Sequence, residues 1–151
     1  MSKKKKKQME WYKMDLHLHT PASADWLEPG ATYLDLLRKA EMRGLDVIAI
    51  TDHNTVAGCA ALRAKIEQLD MLERLNRIQP DEKQQLDEYR RIGNRLLVLP
   101  GFEFTATLGF HVLAIFSPET SIRTLEHLLL ELNVPADKLD VGATEVGATA
   151  D

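Results

Sequence analysis

The stretch Asp46-Val47-Ile48-Ala49-Ile50, followed at once by Thr51-Asp52-His53, constrains the fold of this chain more than any other. Five residues, β-branched and almost unbroken in apolarity, read as a strand covered on both faces, the pattern of a parallel sheet in an α/β protein. An ionisable pair directly after such a strand is hard to accommodate without a counter-charge. The same design appears twice more. The first strand candidate, Trp11 to Leu16, leads into His17-Leu18-His19, and Leu96 to Phe104 carries Gly101-Phe102-Glu103 near its end. Three strand-like runs therefore present His17, His19, Asp52, His53 and Glu103 at their C-terminal ends, where α/β folds gather their active groups.

The segments between fit that plan. Thr32 with Asp35 three residues on forms a capping box that opens a helix through Arg43, with Leu34, Leu37 and Ala40 as its apolar stripe and Gly44 as its stop. A long helix is expected from Val56 to Arg77, burying Ala60, Leu62, Ile66, Leu69, Leu72 and Leu75, and Pro80 separates it from a charged helix over Asp81 to Ile92. His111 to Phe116 reads as a fourth strand joined to the third by a short loop around Gly109, and Ser121 opens a last helix to Leu132. The order β-α-β-α-α-β-β-α predicts parallel pairing with outside crossovers, except for the directly joined last two strands. The expected organisation is a basic tail over 1–10, one α/β domain over 11–134 and a linker or truncated end over 135–151, which holds a duplicated Val-Gly-Ala-Thr unit.

Composition excludes several function classes. The lone cysteine, Cys59, cannot form an intramolecular disulfide and reads as a small packing residue, which with the absence of a signal peptide or long apolar span points to a cytoplasmic protein. Lys3, Lys4, Lys5, Lys6 and Lys7 form an unbroken basic run that repels itself, a solubilising tail or a contact for nucleic acid. No phosphate-binding glycine loop and no Ser-His-Asp set competes with the histidine motifs.

His17 and His19 lie on one side of an extended segment, because side chains alternate with period two. Either motif alone is compatible with surface or hydrogen-bonded histidines. Asp52-His53 and Glu103, delivered to the same edge, shift the reading to a metal site, in which His53 binds directly and Asp52 either binds or orients an imidazole. Asp25 in the first loop and His111 at the start of the fourth strand are further candidates, whereas His127, mid-helix beside Glu126 and Glu131, is assigned to the surface. A nitrogen and oxygen donor set without thiolate suits Zn, Mn or Fe.

Together Asp15-Leu16-His17-Leu18-His19-Thr20, Ser23-x-Asp25, Ile50-Thr51-Asp52-His53 and Pro100-Gly101-Phe102-Glu103 resemble the PHP (polymerase and histidinol phosphatase) superfamily over about Tyr12 to Phe116. The resemblance implies a distorted seven-stranded (β/α) barrel, of which this chain holds roughly the first four strands. It also implies two or three divalent metals and phosphoester hydrolysis by metal-activated water. It puts His17, His19, Asp25, His53, Glu103 and His111 on ligand positions and Asp52 on a catalytic, site-supporting one. It further implies a phosphoester substrate, with relatives that act on nucleotides or head large nucleic-acid or ATPase proteins. One departure stands out: family members add a later histidine and a late Asp-x-His pair, and this chain has no histidine after His127 and no Asp-x-His beyond Asp15-Leu16-His17. The expectation is an N-terminal portion of a longer phosphoesterase. The alternatives are a catalytically incomplete metal- or nucleic-acid-binding module, or a carbon–nitrogen hydrolase that uses His-x-His.

Overall fold

A computed structural model describes residues 11–106 and 109–144; the lysine run and the second half of the Val-Gly-Ala-Thr duplication lie outside the described residues. The elements follow the expected order: β1 (Met14–Leu18), α1 (Tyr33–Met42), β2 (Val47–Ile50), α2 (Ala57–Arg74), α3 (Pro80–Gly93), β3 (Leu97–Thr105), β4 (His111–Ile115) and α4 (Ile122–Glu131), with a 3-10 turn at Ala136–Lys138. The sheet runs β1-β2-β3-β4 and curls into a half-barrel. β1, β2 and β3 are parallel, and β4 returns antiparallel to β3. The chain is thus mixed α/β, compatible with part of a barrel.

The first strand starts later than expected. Pairing begins at Met14, opposite Val47, and a bulge falls between Asp15 and Leu18. Trp11 and Tyr12 precede the strand and are exposed, so the histidine motif straddles the strand end, with His17 inside it. The Asp46 carboxylate accepts from the Lys13 backbone N–H at 2.7 Å, tying the strand entrance to the turn before β2.

α1 forms where its capping box and stripe place it: the Thr32 hydroxyl accepts from the Asp35 amide, the Asp35 carboxylate accepts from the Thr32 amide, and Leu34, Leu37 and Ala40 are buried. α2 ends at Arg74 rather than Arg77 because Asn76 takes a left-handed φ of 54°, a conformation that stops a helix. Leu75, expected in the core, is therefore exposed. Two apolar clusters result. Ile48 and Ile50 meet Leu37, Leu62, Leu69, Leu86 and Ile92 of the first three helices, whereas Phe102 and Phe104 meet Leu125, Leu129 and Val134 around α4.

β3 serves both clusters because it changes partner midway. Leu97 to Pro100 pair with β2, and Gly101 to Thr105 pair with β4. Pro100 offers no N–H at the crossover but accepts from Phe116 at 2.9 Å. At Gly101 a Cβ would stand 2.4 Å from the Ala114 carbonyl oxygen, so only glycine lets β4 approach.

Candidate metal centre

Backbone pairing continues beyond the last regular residue of β2, and this sets the site. The Glu103 amide donates to the Asp52 carbonyl at 3.0 Å, and the Asn54 amide donates to the Glu103 carbonyl at 2.8 Å. His53 and Glu103 become lateral neighbours across an isolated parallel bridge. On the other side the Thr51 amide donates to the Leu18 carbonyl at 2.8 Å, which brings the β1 histidines level with them.

Glu103 is the hub. Its Oε2 lies 2.7 Å from His17 Nε2, 2.9 Å from His19 Nε2 and 3.6 Å from His53 Nδ1, and its Oε1 contacts His111 Nδ1. Asp25 adds a second carboxylate, 2.9 Å from His19 Nδ1 and 3.4 Å from His53 Nε2. The imidazoles meet edge to face in a chain, His17 to His19 to His53 to His111, at centroid separations of 5.1, 4.6 and 5.2 Å. Glu103 and His53 are buried at the floor, while His17 and His111 are about half exposed at the mouth.

Burial pushes the Glu103 carboxyl upward, but the bonds from His17, His111 and His19 outweigh it and hold the group below its ordinary range. Asp25 is also lowered: burial opposes ionisation, and Ser23 and His19 overcome it. His53 is pushed down by burial against the pull of Glu103, so it favours the neutral form that can donate a lone pair.

The donor set fits a metal on three counts. Three groups each bring ligand atoms within 4.8 Å of one another: His17, His19 and Glu103; His19, Asp25 and His53; and His53, Glu103 and His111. Atoms bound to one ion at about 2.0–2.2 Å stand roughly 3–3.5 Å apart; His53 stands near that spacing from Asp25 at 3.4 Å and from Glu103 at 3.6 Å, whereas His17 and His19 sit at hydrogen-bond distance from Glu103. His53 Nδ1 is buried and has no hydrogen-bond partner among the described residues. His19 faces a carboxylate with each nitrogen. A neutral imidazole has one N–H and satisfies only one of them, whereas a protonated ring or a cation between the groups satisfies both. These clusters could hold a metal ion.

All six sequence-derived ligand candidates, His17, His19, Asp25, His53, Glu103 and His111, meet in this site. Asp52 stands behind it. Its buried carboxylate accepts from the Thr20 amide at 2.6 Å and the Thr20 hydroxyl at 2.8 Å, and burial, opposed by those two bonds, raises its pKa. It belongs to none of the three ligand groups among the described residues. Thr20 and Gly58 escaped the sequence reading. At Gly58, in the first turn of α2, a Cβ would lie 2.1 Å from Asp52 Oδ2 and 2.2 Å from Thr20 Oγ1. The carboxylate thus packs against the positive end of α2. The signal in the sequence was Gly58 itself, a poor helix residue placed where a helix starts.

His127 is exposed and pairs with Glu131 at 3.3 Å, as expected. Cys59 is buried with its thiol pushed up by burial to about 11, which suits packing and not nucleophilic attack. No helix among the described residues is long and apolar enough to cross a membrane. The chain matches no protein-family model and no curated protein at a significant level.

Proposed function

We propose that this chain is the N-terminal portion of a PHP-type, metal-dependent phosphoesterase. The observation that carries the reading is the convergence of four imidazoles and two carboxylates on one edge of the sheet, with the buried Nδ1 of His53 left without a hydrogen-bond partner among the described residues. The motif resemblance at the same residues supports phosphoester chemistry over hydrolysis of a carbon–nitrogen bond.

In this reading His17, His19, Asp25, His53, Glu103 and His111 hold divalent ions, Zn, Mn or Fe by donor type. When bound, such ions supply a water of lowered pKa and positive charge for the phosphoryl oxygens. The chain's own contribution is placement. Glu103, ionised at the floor, bridges the ligand groups. Asp25 fixes the His19 ring through Nδ1 and leaves Nε2 facing Glu103. Asp52 locks the residue after His19 through Thr20 and so fixes where the β1 histidines point. The half-exposed His17 and His111 leave the mouth open to a phosphoester, and no side-chain nucleophile is required.

The open mouth also favours a second reading, a metal- or nucleic-acid-binding module that does not turn over substrate. One experiment separates the two. Protein purified without chelator is assayed for bound metals by elemental analysis, then for hydrolysis of a phosphomonoester, a phosphodiester and an amide with added Mn²⁺ or Zn²⁺. Bound metal with phosphoester hydrolysis lost in His53→Ala is expected. Bound metal without turnover, together with salt-sensitive nucleic-acid binding, would replace the enzyme reading with the module. Amide hydrolysis alone would overturn the choice of substrate class.

A further inference from the structure

Residues 139–144 cross the back of the metal centre and are fastened there by buried polar side chains. The Thr55 hydroxyl donates to the Leu139 carbonyl. Asn54 Nδ2 donates to the Ala143 carbonyl at 2.8 Å and to Thr105 Oγ1 at 3.1 Å. The Thr105 hydroxyl in turn donates to the Thr144 carbonyl at 2.9 Å, and its amide donates to Asn54 Oδ1 at 2.9 Å. At the other end the Ala24 amide donates to the Gly142 carbonyl at 2.9 Å. Gly142 has a φ of 61°, and a Cβ there would stand 2.0 Å from the Ala22 carbonyl oxygen, so the segment seats flush on the first loop only with glycine.

The anchor points are not scattered. Ala24 precedes Asp25, Asn54 follows His53, and Thr105 lies two residues beyond Glu103. These three ligands come from three separate segments, and 139–144 is bonded to all three. Asn54 and Thr55 are fully buried, so their side chains need partners, and these are carbonyls of this one segment together with Thr105 and the Ala57 amide, which donates to the Thr55 hydroxyl at 3.1 Å. The cluster uniting β1 and β2 with the first three helices draws no residue from 139–144, whereas Leu139 packs on the second cluster around α4. Ligand geometry tolerates errors of only about 0.5 Å; strand pairing aligns His53 with Glu103, and the loop that carries Asp25 lacks that support.

We propose that residues 139–144 are a positioning strap that holds Asp25, His53 and Glu103 at metal-ligand spacing by way of Ala24, Asn54 and Thr105. The inference rests on the metal-centre reading above and adds to it the element that sets ligand spacing.

The test uses Thr105→Val, which removes the hydroxyl at constant shape, Thr105→Ser, which restores it, and Gly142→Val, which unseats the strap. Zn²⁺ affinity is measured by competition with a chromophoric chelator, and amide hydrogen exchange is followed by NMR without metal. Thr105→Val and Gly142→Val are expected to bind Zn²⁺ about tenfold or more weakly, with Thr105→Ser close to the parent. Exchange at the Ala24 and Asn54 amides should quicken while α1, α2 and α3 keep the parent's protection. Parent-like affinity and exchange in both valine variants would overturn the strap and leave the metal centre standing. Weaker binding with protection lost throughout the helices, and no rescue by serine, would overturn it as a general loss of fold. A parent chain that binds no Zn²⁺ would remove the metal centre and the strap's role with it.

Discussion

Two groups of charged side chains in this molecule behave in opposite ways. Along the outer faces of α1, α2 and α3, cations and anions pair almost one for one. Arg91 clamps both oxygens of Glu41 at 2.7 and 2.6 Å and also reaches Glu88, while Arg90 joins Asp70 and Glu73 at 2.6 Å each, and Lys83 adds Glu73 and Asp87. At the strand ends four imidazoles crowd two carboxylates, one histidine faces acid on both sides and another buries a nitrogen with no hydrogen-bond partner among the described residues. The helix network is complete in itself. The strand-end cluster instead gathers imidazoles and carboxylates in three groups that could hold a metal ion.

The sharpest way to break the contrast is at Glu103. Glu103→Gln keeps the shape but takes the charge from the hub that His17, His19, His53 and His111 share. Metal affinity should fall by about 100-fold or more, with phosphoester hydrolysis lost alongside, as read by calorimetric titration and by turnover assays. Unchanged affinity would mean the histidines bind metal without it, or that the cluster is an ion-pair network like the one on the helices.

Behind the ligands, Gly58→Ala tests whether the site depends on its supporting layer. The added Cβ would strike Asp52 Oδ2 and Thr20 Oγ1. Overpacking of this kind destabilises by about 1–3 kcal/mol, measurable in urea unfolding. Because Thr20 follows His19, metal binding should weaken as well, though less than in Glu103→Gln. A full loss of stability with metal affinity intact would separate Asp52 from the centre.

Acid should act on the two groups differently. Burial holds the His53 pKa in the folded chain below its ordinary value, whereas the unfolded chain takes up that proton near pH 6.5. Between the two values the unfolded state binds more protons, so stability falls as pH drops through that window and is fully present above it. Metal-free protein should thus show a falling urea midpoint from pH 7.5 to 5.5, with a shallower fall in His53→Gln. An identical slope in both would assign the acid sensitivity elsewhere.

How much of this could be read before folding depends on contact range. α1 was legible because its cap, stripe and stop are all local: Thr32 with Asp35, then Leu34, Leu37 and Ala40, then Gly44. The candidate cluster was legible at His17, His19, His53 and Glu103 because polar residues ending apolar strands meet along one edge when those strands run parallel, whereas Asp25 on its loop and His111 at the start of the antiparallel β4 have no such local rule. The bulge in β1 was not, since register is settled by the partner strand and not by the run itself. Nor was the contact of Gly58 with Thr20, which spans 38 positions of sequence and has no periodic signature. The turn at Asn76 likewise overrode a continuous helical pattern and turned Leu75 outward.

The smallest effect should come from the helix network, and it completes the contrast. Arg91→Ala removes the bidentate contact with Glu41 and the pair with Glu88, yet these groups stand at the surface, where water and salt screen them. The guanidinium also leaves behind carboxylates that water can solvate, unlike the buried His53 nitrogen. A drop in Tm of no more than about 2 °C at 0.15 M salt, shrinking further at 1 M, is expected from thermal scans, with metal affinity unchanged. A larger drop would mean that the network holds α1 and α3 together, across which Arg91 reaches Glu41. The helix faces would then share the structural burden that burial of Leu37, Leu86 and Ile92 is argued to carry. A shift in metal affinity would be more consequential, because it would couple the helix network to the candidate site at the strand ends, with which it shares no ion pair among the described residues.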